Sequence, residues 1–438
     1  MSEKQRVTVL VGAGAVLDFR LPAGAIIPTT GNITNAVVNK TYFDYFARPV
    51  RKPLPTTNIV KDVFDRLKAG YGQDGWKVNF ETLFHTLESL YSYLMYWKNG
   101  IRNMDMMPAN APLLYPLPAT APDEVRQVMQ PYIMTIMNIV GFYNTAFKKN
   151  LTESAWYRDF WRDFTNWDIF NLNYDTTIED SLSDYTDGFE EIPNYDFRRF
   201  NPHKMIKESE HTSVVCHPHG CILYGADSYK SGDINNDVME HEFHDFYKYR
   251  SYTEALWKLR GTTRSNATAQ DGMTIWDSPI ITGLRKMDKL NLFPFAYYNS
   301  YFNNAIQRNR SIVIVGYSFG DVYINEWLQR IVMFHGKNAR VVLIDKWPDV
   351  NVQNGASPQD RAEEKRLKLR SHEVCNPLAD FINRISNEGS LNSCIRNIVI
   401  NDSVGPMYSS NGCLMLFTDG FRDAAENYKD IIYSFLNI

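Results

Sequence analysis

Residues 7–14, VTVLVGAG, constrain the fold of this chain more than any other stretch. Apolar and β-branched residues fill the run without the polar alternation of a half-buried strand. Both faces are therefore expected to be covered, as in a parallel sheet flanked by helices. Strand patterns return at 167–172 (WDIFNL), 213–217 (SVVCH), 311–315 (SIVIV) and 341–345 (VVLID). Between the last two, Val322, Ile324, Trp327, Leu328, Ile331 and Val332 fall at the spacing of one helix face, which predicts a crossover helix. This alternation predicts an α/β fold with a Rossmann-like doubly wound parallel sheet.

A long helical stretch interrupts the sheet pattern. Asn79 stands as a candidate cap before Phe80, Leu83, Phe84, Leu87, Leu90, Tyr91 and Leu94, which share one face. A proline-rich loop at 107–122 precedes further helices expected at 123–148 and 152–164. The expected organisation is the start of the sheet domain in 1–57, a large helical insertion over 58–165, the rest of the sheet domain over 166–349, and a C-terminal α/β extension over 350–438. Residues 181–211, rich in Asp, Tyr, Asn and Glu, read as a loop or lid, and 350–370 as a linker.

Lys and Arg total 46 against 50 for Asp and Glu, a net charge of -4, so neither nucleic acid nor an anionic membrane is an expected partner. The greasiest segment, YIMTIMNIVGFY at 132–143, falls short of the roughly 18 apolar residues that span a bilayer and reads as a buried helix. The opening MSEKQRVTVLVGAG runs from a charged lead into a strand without an apolar leader region, and the expected location is the cytoplasm. Five scattered cysteines, at 216, 221, 375, 394 and 413, suit reduced thiols rather than a disulfide framework.

Ligands of open α/β sheets sit at the carboxyl ends of the strands, so the residues after each strand carry the functional reading. Gly12 and Gly14 follow the first strand, where missing side chains let a turn approach a pyrophosphate; the alternative is a tight turn with no ligand. Leu17 stands where a dinucleotide fingerprint has its third glycine, and no Asp or Glu occurs within 30–39 to hold a ribose, which disfavours an ordinary dehydrogenase. There is no GxxxxGK[ST] loop. After WDIF come Asn171, Asn173 and Asp175; after SIVIV come Gly316, Ser318, Gly320 and Asp321; after VVLI comes Asp345. Taken singly, Asn171, Asp175 and Asp321 also read as helix caps and Asp345 as a strand terminator.

The segment SVVCHPHGCILY gathers Cys216, His217, His219 and Cys221. In a strand Cys216 and His217 point to opposite faces, and no CxxC pair occurs anywhere to complete a tetrahedral site, so no metal is expected. His219 reads as an imidazole at a strand end able to accept a proton, with a hydrogen-bonded core histidine as the alternative; His217 reads as a supporting or structural residue.

VLVGAGA, NLNYDTTIE, the HG at 219–220, IVGYSFGD and VLID occur in the order and at roughly the separations of bacterial SIR2-like (sirtuin-related) domains, over about residues 5–346. The resemblance implies that Gly12, Ala13 and Gly14 hold an NAD+ pyrophosphate. It matches Asn173 and Asp175 to the motif beside the nicotinamide ribose and His219 to the catalytic histidine. Gly316 and Ser318 match the turn at the ribose, Asp345 falls near the adenosine end, and Asp18, from the first loop, joins the cofactor-binding set. The chain has no four-cysteine zinc ribbon and carries Val16 where sirtuins usually place serine. Both departures turn the reading from protein deacylase toward NAD+ glycohydrolase, with water as nucleophile. The resemblance further implies a homo-oligomeric effector of anti-phage defence that depletes NAD+, triggered by a separate protein such as a HerA-type ATPase or a short Argonaute. An NAD or ADP-ribose sensor without hydrolysis and a sirtuin-type deacylase are the alternatives.

Overall fold

The computed structural model of the chain describes residues 6–22, 25–40, 59–98, 121–163, 166–225, 246–258, 263–268, 274–276, 278–282, 290, 292–347, 376–386, 398–399 and 405–437. Its centre is a nine-stranded sheet. The strands in chain order are β1 (Val7–Val11), β2 (Trp167–Asn171), β3 (Tyr185–Thr186), β6 (Ser213–Cys216), β11 (Ser311–Val315), β12 (Arg340–Ile344), β13 (Ile398–Val399), β14 (Met407–Ser409) and β15 (Leu414–Phe417). A second sheet, of four antiparallel strands, is made by β4 (Phe189–Glu191), β5 (Phe197–Phe200), β7 (Tyr224–Gly225) and β8 (Tyr247–Tyr249), and β9 (Thr263–Thr268) pairs with β10 (Thr274–Trp276).

The large sheet runs β13-β14-β15-β12-β11-β1-β2-β6-β3, parallel from β15 to β3 and antiparallel at the β13-β14-β15 edge. Numbered by first appearance, β6-β2-β1-β11-β12-β15 reproduces the doubly wound order, and it reverses direction between β1 and β11. The apolar runs are explained by their surroundings: β1, β2 and β11 are buried at all five positions. Alternate residues feed two cores, because side chains of a strand point to opposite faces. Leu10, Phe170, Ile312, Ile314, Val341 and Leu343 face one core; Val9, Val11, Ile169, Val313, Val315 and Val342 face the other.

The helices predicted within 58–165 form as α2 (Ile59–Tyr71), α3 (Phe80–Lys98), α4 (Ala121–Lys149) and α5 (Ala155–Arg162), and the structure adds α1 (Thr30–Asn39) and α6 (Pro202–Ser209), which the sequence reading does not contain. Asn79 caps α3 as its position suggests, its Oδ1 accepting from the N–H groups of Glu81 and Thr82 at 2.9 and 3.0 Å. The greasy segment lies within α4, with Tyr132, Ile133, Ile136, Met137, Val140 and Tyr143 buried. α4 is bound into the sheet domain: Asn144 donates to Thr176 Oγ1 and accepts from Thr176 N–H, gripping the loop that follows β2. The predicted crossover helix divides into two, Val322–Leu328 and Ile331–His335.

Two regions differ from expectation. Residues 181–211 are not a loop or lid but supply β3, β4, β5 and α6, because Phe189, Phe197 and Phe200 are buried against Tyr224, Tyr249, Phe293 and Tyr298. The C-terminal extension continues the sheet: β15 pairs in parallel with β12, and Phe421 joins Trp156, Tyr157 and Phe160 in an aromatic cluster on one face. The expected linker at 350–370 lies outside the described residues. Among the described residues no helix is long and apolar enough to cross a membrane.

Candidate active site

A cleft of about 450 Å³ opens at the carboxyl ends of β1, β2, β11 and β12. Its floor is set by close packing of backbone. Gly12 N–H donates to Val315 O at 2.9 Å and Gly14 N–H to Gly316 O at 2.8 Å, which ties the turn after β1 to the turn after β11. A Cβ on Gly12 would sit 2.6 Å from Gly316 O, and one on Gly14 would sit 2.7 Å from Gly316 Cα. Gly316 has φ of +59°, which favours glycine on conformational grounds as well. The glycines predicted to free amides for a pyrophosphate thus spend two of those amides on the end of β11 and the turn that follows it.

Ala13, Gly12, Gly14, Asn173, Asp175, His219, Gly316, Ser318 and Asp345 all line this cleft. Asp18 does not: the short 3-10 turn Ala13–Val16 carries it past the opening, where it pairs with Lys346 Nζ at 2.6 Å and accepts from Arg422 N–H at 3.1 Å. Asp345 accepts from Lys346 N–H and from the Trp347 indole at 2.9 and 3.1 Å.

The loop after β2 is knotted by its own polar groups. Asn171 accepts from Asn173 N–H at 3.0 Å and donates to Asp175 O at 3.1 Å. Asn173 then reaches across to the first loop, Nδ2 donating to Gly12 O at 3.1 Å. That bond fixes the amide plane, and the Oδ1 atom accepts from none of the described residues. Asp175 is buried; its Oδ1 accepts from Thr177 N–H and Oγ1, while its Oδ2 has no partner among the described residues. Burial, reinforced by the charge of Glu179, pushes the Asp175 carboxyl up despite the Thr177 hydrogen bonds.

His219 follows β6 and faces the cleft with its ring nearly buried. Its Nε2 lies 3.0 Å from Asp321 Oδ2. Asp321 caps the helix Val322–Leu328 through Oδ1, as its sequence position suggests, but the pairing with His219 is a role that a cap reading does not contain. Only a carboxylate that follows a strand and faces another strand's end could have signalled it.

His217 lies behind the cleft. Its Nδ1 is 3.2 Å from Asn173 O and its Nε2 is 2.7 Å from Glu179 Oε1. Lys248, also buried, pairs with Asp187 Oδ2 at 2.6 Å and stands 3.6 Å from Glu179 Oε1. Burial alone would push Glu179 up, but the charge and hydrogen bond of His217, with the charge of Lys248, outweigh it and hold Glu179 at about 2. Glu179, His217 and Cys221 place three donor atoms within 4.8 Å of one another, a grouping that could hold a metal. Ligands of one tetrahedral zinc stand roughly 3.3 Å apart, given bonds of ~2.0 Å. The 2.7 Å contact of His217 with Glu179 is instead a hydrogen bond, and the Lys248 ammonium occupies the cation's role. Burial also pushes the Cys221 thiol well up.

Glu81, Asp175, Asp321 and Asp345 line the cleft, and among the described residues no Lys or Arg joins them. Positive potential comes instead from helix ends: Thr29, Thr30 and Gly31 at the start of α1, and Asn79 and Phe80 at the start of α3, all face it.

No curated protein matches the chain. Residues 168–374 match the family described as SIR2-like domain, whose members point to NAD+-dependent chemistry. β1 precedes the matched stretch but belongs to the same sheet, between β2 and β11. The strand ends that carry Asn173, His219, Gly316 and Asp345 all lie inside that stretch, so this part of the chain is similar to a SIR2-like domain.

Proposed function

We propose that this chain is an NAD+ glycohydrolase, cleaving NAD+ to nicotinamide and ADP-ribose. The observation that carries the reading is that Asn173 and His219 line one cleft, beyond the ends of the neighbouring parallel strands β2 and β6. Cleavage breaks the C1′–N bond, whose electron pair leaves with nicotinamide as the ring loses its positive charge. The ribose left behind is cationic until water adds. The carboxylates of the cleft suit that charge, since preorganised groups of opposite sign act most strongly in a site shielded from water. Asn173, with its amide plane fixed by Gly12 O, presents Oδ1 to orient the attacking water or a ribose hydroxyl. His219 takes the proton that the water gives up as the O–C1′ bond forms. The start of α1 suits the pyrophosphate without a basic side chain.

Water as nucleophile is favoured over an acyl-lysine because no CxxC pair is present in the chain to build a peptide-binding zinc ribbon. By the same resemblance we place the activity in anti-phage defence, in a homo-oligomer released by a separate activating protein. Nicotinamide release by the purified chain, beside Asn173→Ala and His219→Ala, tests the chemistry. Release by the wild type alone supports it. Deacylation of an acetyl-lysine peptide, or NAD+ binding that persists without cleavage in the presence of the activator, overturns it.

A further inference from the structure

We infer that Asp321 is the positioning residue that fixes His219 as the Nε2–H tautomer, leaving Nδ1 as the proton-accepting atom of the cleft. This deepens the glycohydrolase reading and rests on it for the chemistry, though not for the tautomer. The pair is anchored from both sides. Asp321 Oδ1 accepts from Tyr323 N–H and Ile324 N–H at 3.0 and 3.2 Å, so the carboxylate cannot rotate without uncapping its helix. Asp321 N–H in turn donates to Tyr317 Oη at 3.2 Å, and Tyr317 donates to Asn325 Oδ1 at 2.8 Å. On the histidine side, His219 O accepts from Ile281 N–H at 2.8 Å.

The other oxygen, Oδ2, lies 3.0 Å from Nε2. An ionised carboxylate only accepts hydrogen bonds, so Nε2 carries the hydrogen. In the neutral ring Nδ1 then holds the lone pair, and Nδ1 bonds none of the described residues while His219 lines the cleft. When water attacks C1′, its proton moves to Nδ1 and the imidazolium that results stands against Asp321. The carboxylate thereby acts through the ring, as in other carboxylate–histidine pairs.

The discriminating variant is Asp321→Asn in the full chain. The capping N–H groups hold the amide oxygen where Oδ1 was, which turns the NH2 group toward Nε2 and forces the ring to the Nδ1–H form. With NAD+ as substrate, kcat should fall about 100-fold or more while KM stays within about twofold. NMR of histidine-labelled protein without NAD+ should find Nε2–H in the wild type and Nδ1–H in Asp321→Asn. An unchanged kcat in Asp321→Asn, or a wild-type His219 protonated on Nδ1, overturns the inference. If the wild type releases no nicotinamide, that failure belongs to the glycohydrolase reading, and the NMR result decides this one alone. Should Asp321→Asn not fold, the wild-type tautomer still decides.

Discussion

His217 and His219 are separated by one proline, and each sets Nε2 against a carboxylate, Glu179 at 2.7 Å and Asp321 at 3.0 Å. Their other nitrogens part company. Nδ1 of His217 meets the Asn173 carbonyl, so both its nitrogens face acceptors. Nδ1 of His219 hydrogen-bonds to no described residue, and His219 lines the cleft. Around His217 the charges of Glu179, Lys248 and Asp187 are buried and mutually compensated; around His219 one carboxylate pairs with a ring beside open space. The difference teaches that the same carboxylate–histidine contact serves two ends: with the second nitrogen engaged it braces the loop that carries Asn173, and with the second nitrogen bonded to no described residue it leaves an imidazole available at the cleft.

The strongest break in this comparison is Lys248→Met, which removes the 2.6 Å partner of the buried Asp187 and the positive charge near Glu179 and should cost about 3–5 kcal/mol in denaturant unfolding. A cost below ~1 kcal/mol would mean that water reaches the cluster. Next, Asn173→Ala and His219→Ala should each lower nicotinamide release about 100-fold or more, roughly 2.7 kcal/mol in the barrier, while the melting temperature shifts by no more than about 2 °C.

The histidines themselves should separate in stability. His217→Gln should cost about 1–3 kcal/mol by leaving a buried partner unsatisfied, against about 0.5 kcal/mol for His219→Gln, as compared by chemical unfolding. The smallest effect is in acid. Glu179 sits at about 2 in the folded chain against an ordinary 4.5, so its contribution is present above 4.5 and fades as the pH falls toward 2. Glu179→Gln should flatten the unfolding profile across that window. Asp175, raised by burial, contributes with the opposite sign: its share is present below the ordinary carboxylate range and lost as pH rises. Asp175→Asn should therefore change the profile in the opposite sense.

The strand ends were legible in the sequence because a doubly buried strand writes its burial into consecutive residues, and the residues after it face the ligand by rule. Gly12, Asn173, His219 and Asp345 could be named from that alone, and they share one cleft. The small sheet was not legible. Its pairs join Phe197 to Tyr249 and Tyr224 to Lys248, and its burial rests on aromatic residues dispersed among Asp, Asn and Glu, with no regular period. The pairings of Asp321 with His219 and of Glu179 with His217 and Lys248 were hidden for the same reason. Each partner has a sufficient local explanation as a cap or a turn residue, and only the folded chain brings the pair together. Asp18 shows the reverse error, since nearness along the chain to Gly14 placed it in the cleft, while the turn that follows directs it to Lys346.

The contact of Gly12 and Gly14 with Gly316 has a bearing on how such a sequence can drift. Most crowded sites tolerate a larger residue when the neighbour shrinks in compensation. Here each neighbour is already glycine and the obstruction is main chain, so no second change elsewhere makes room. These three positions are closed to gradual substitution, and descendants of this chain would keep all of them or lose the seam between the two halves of the sheet.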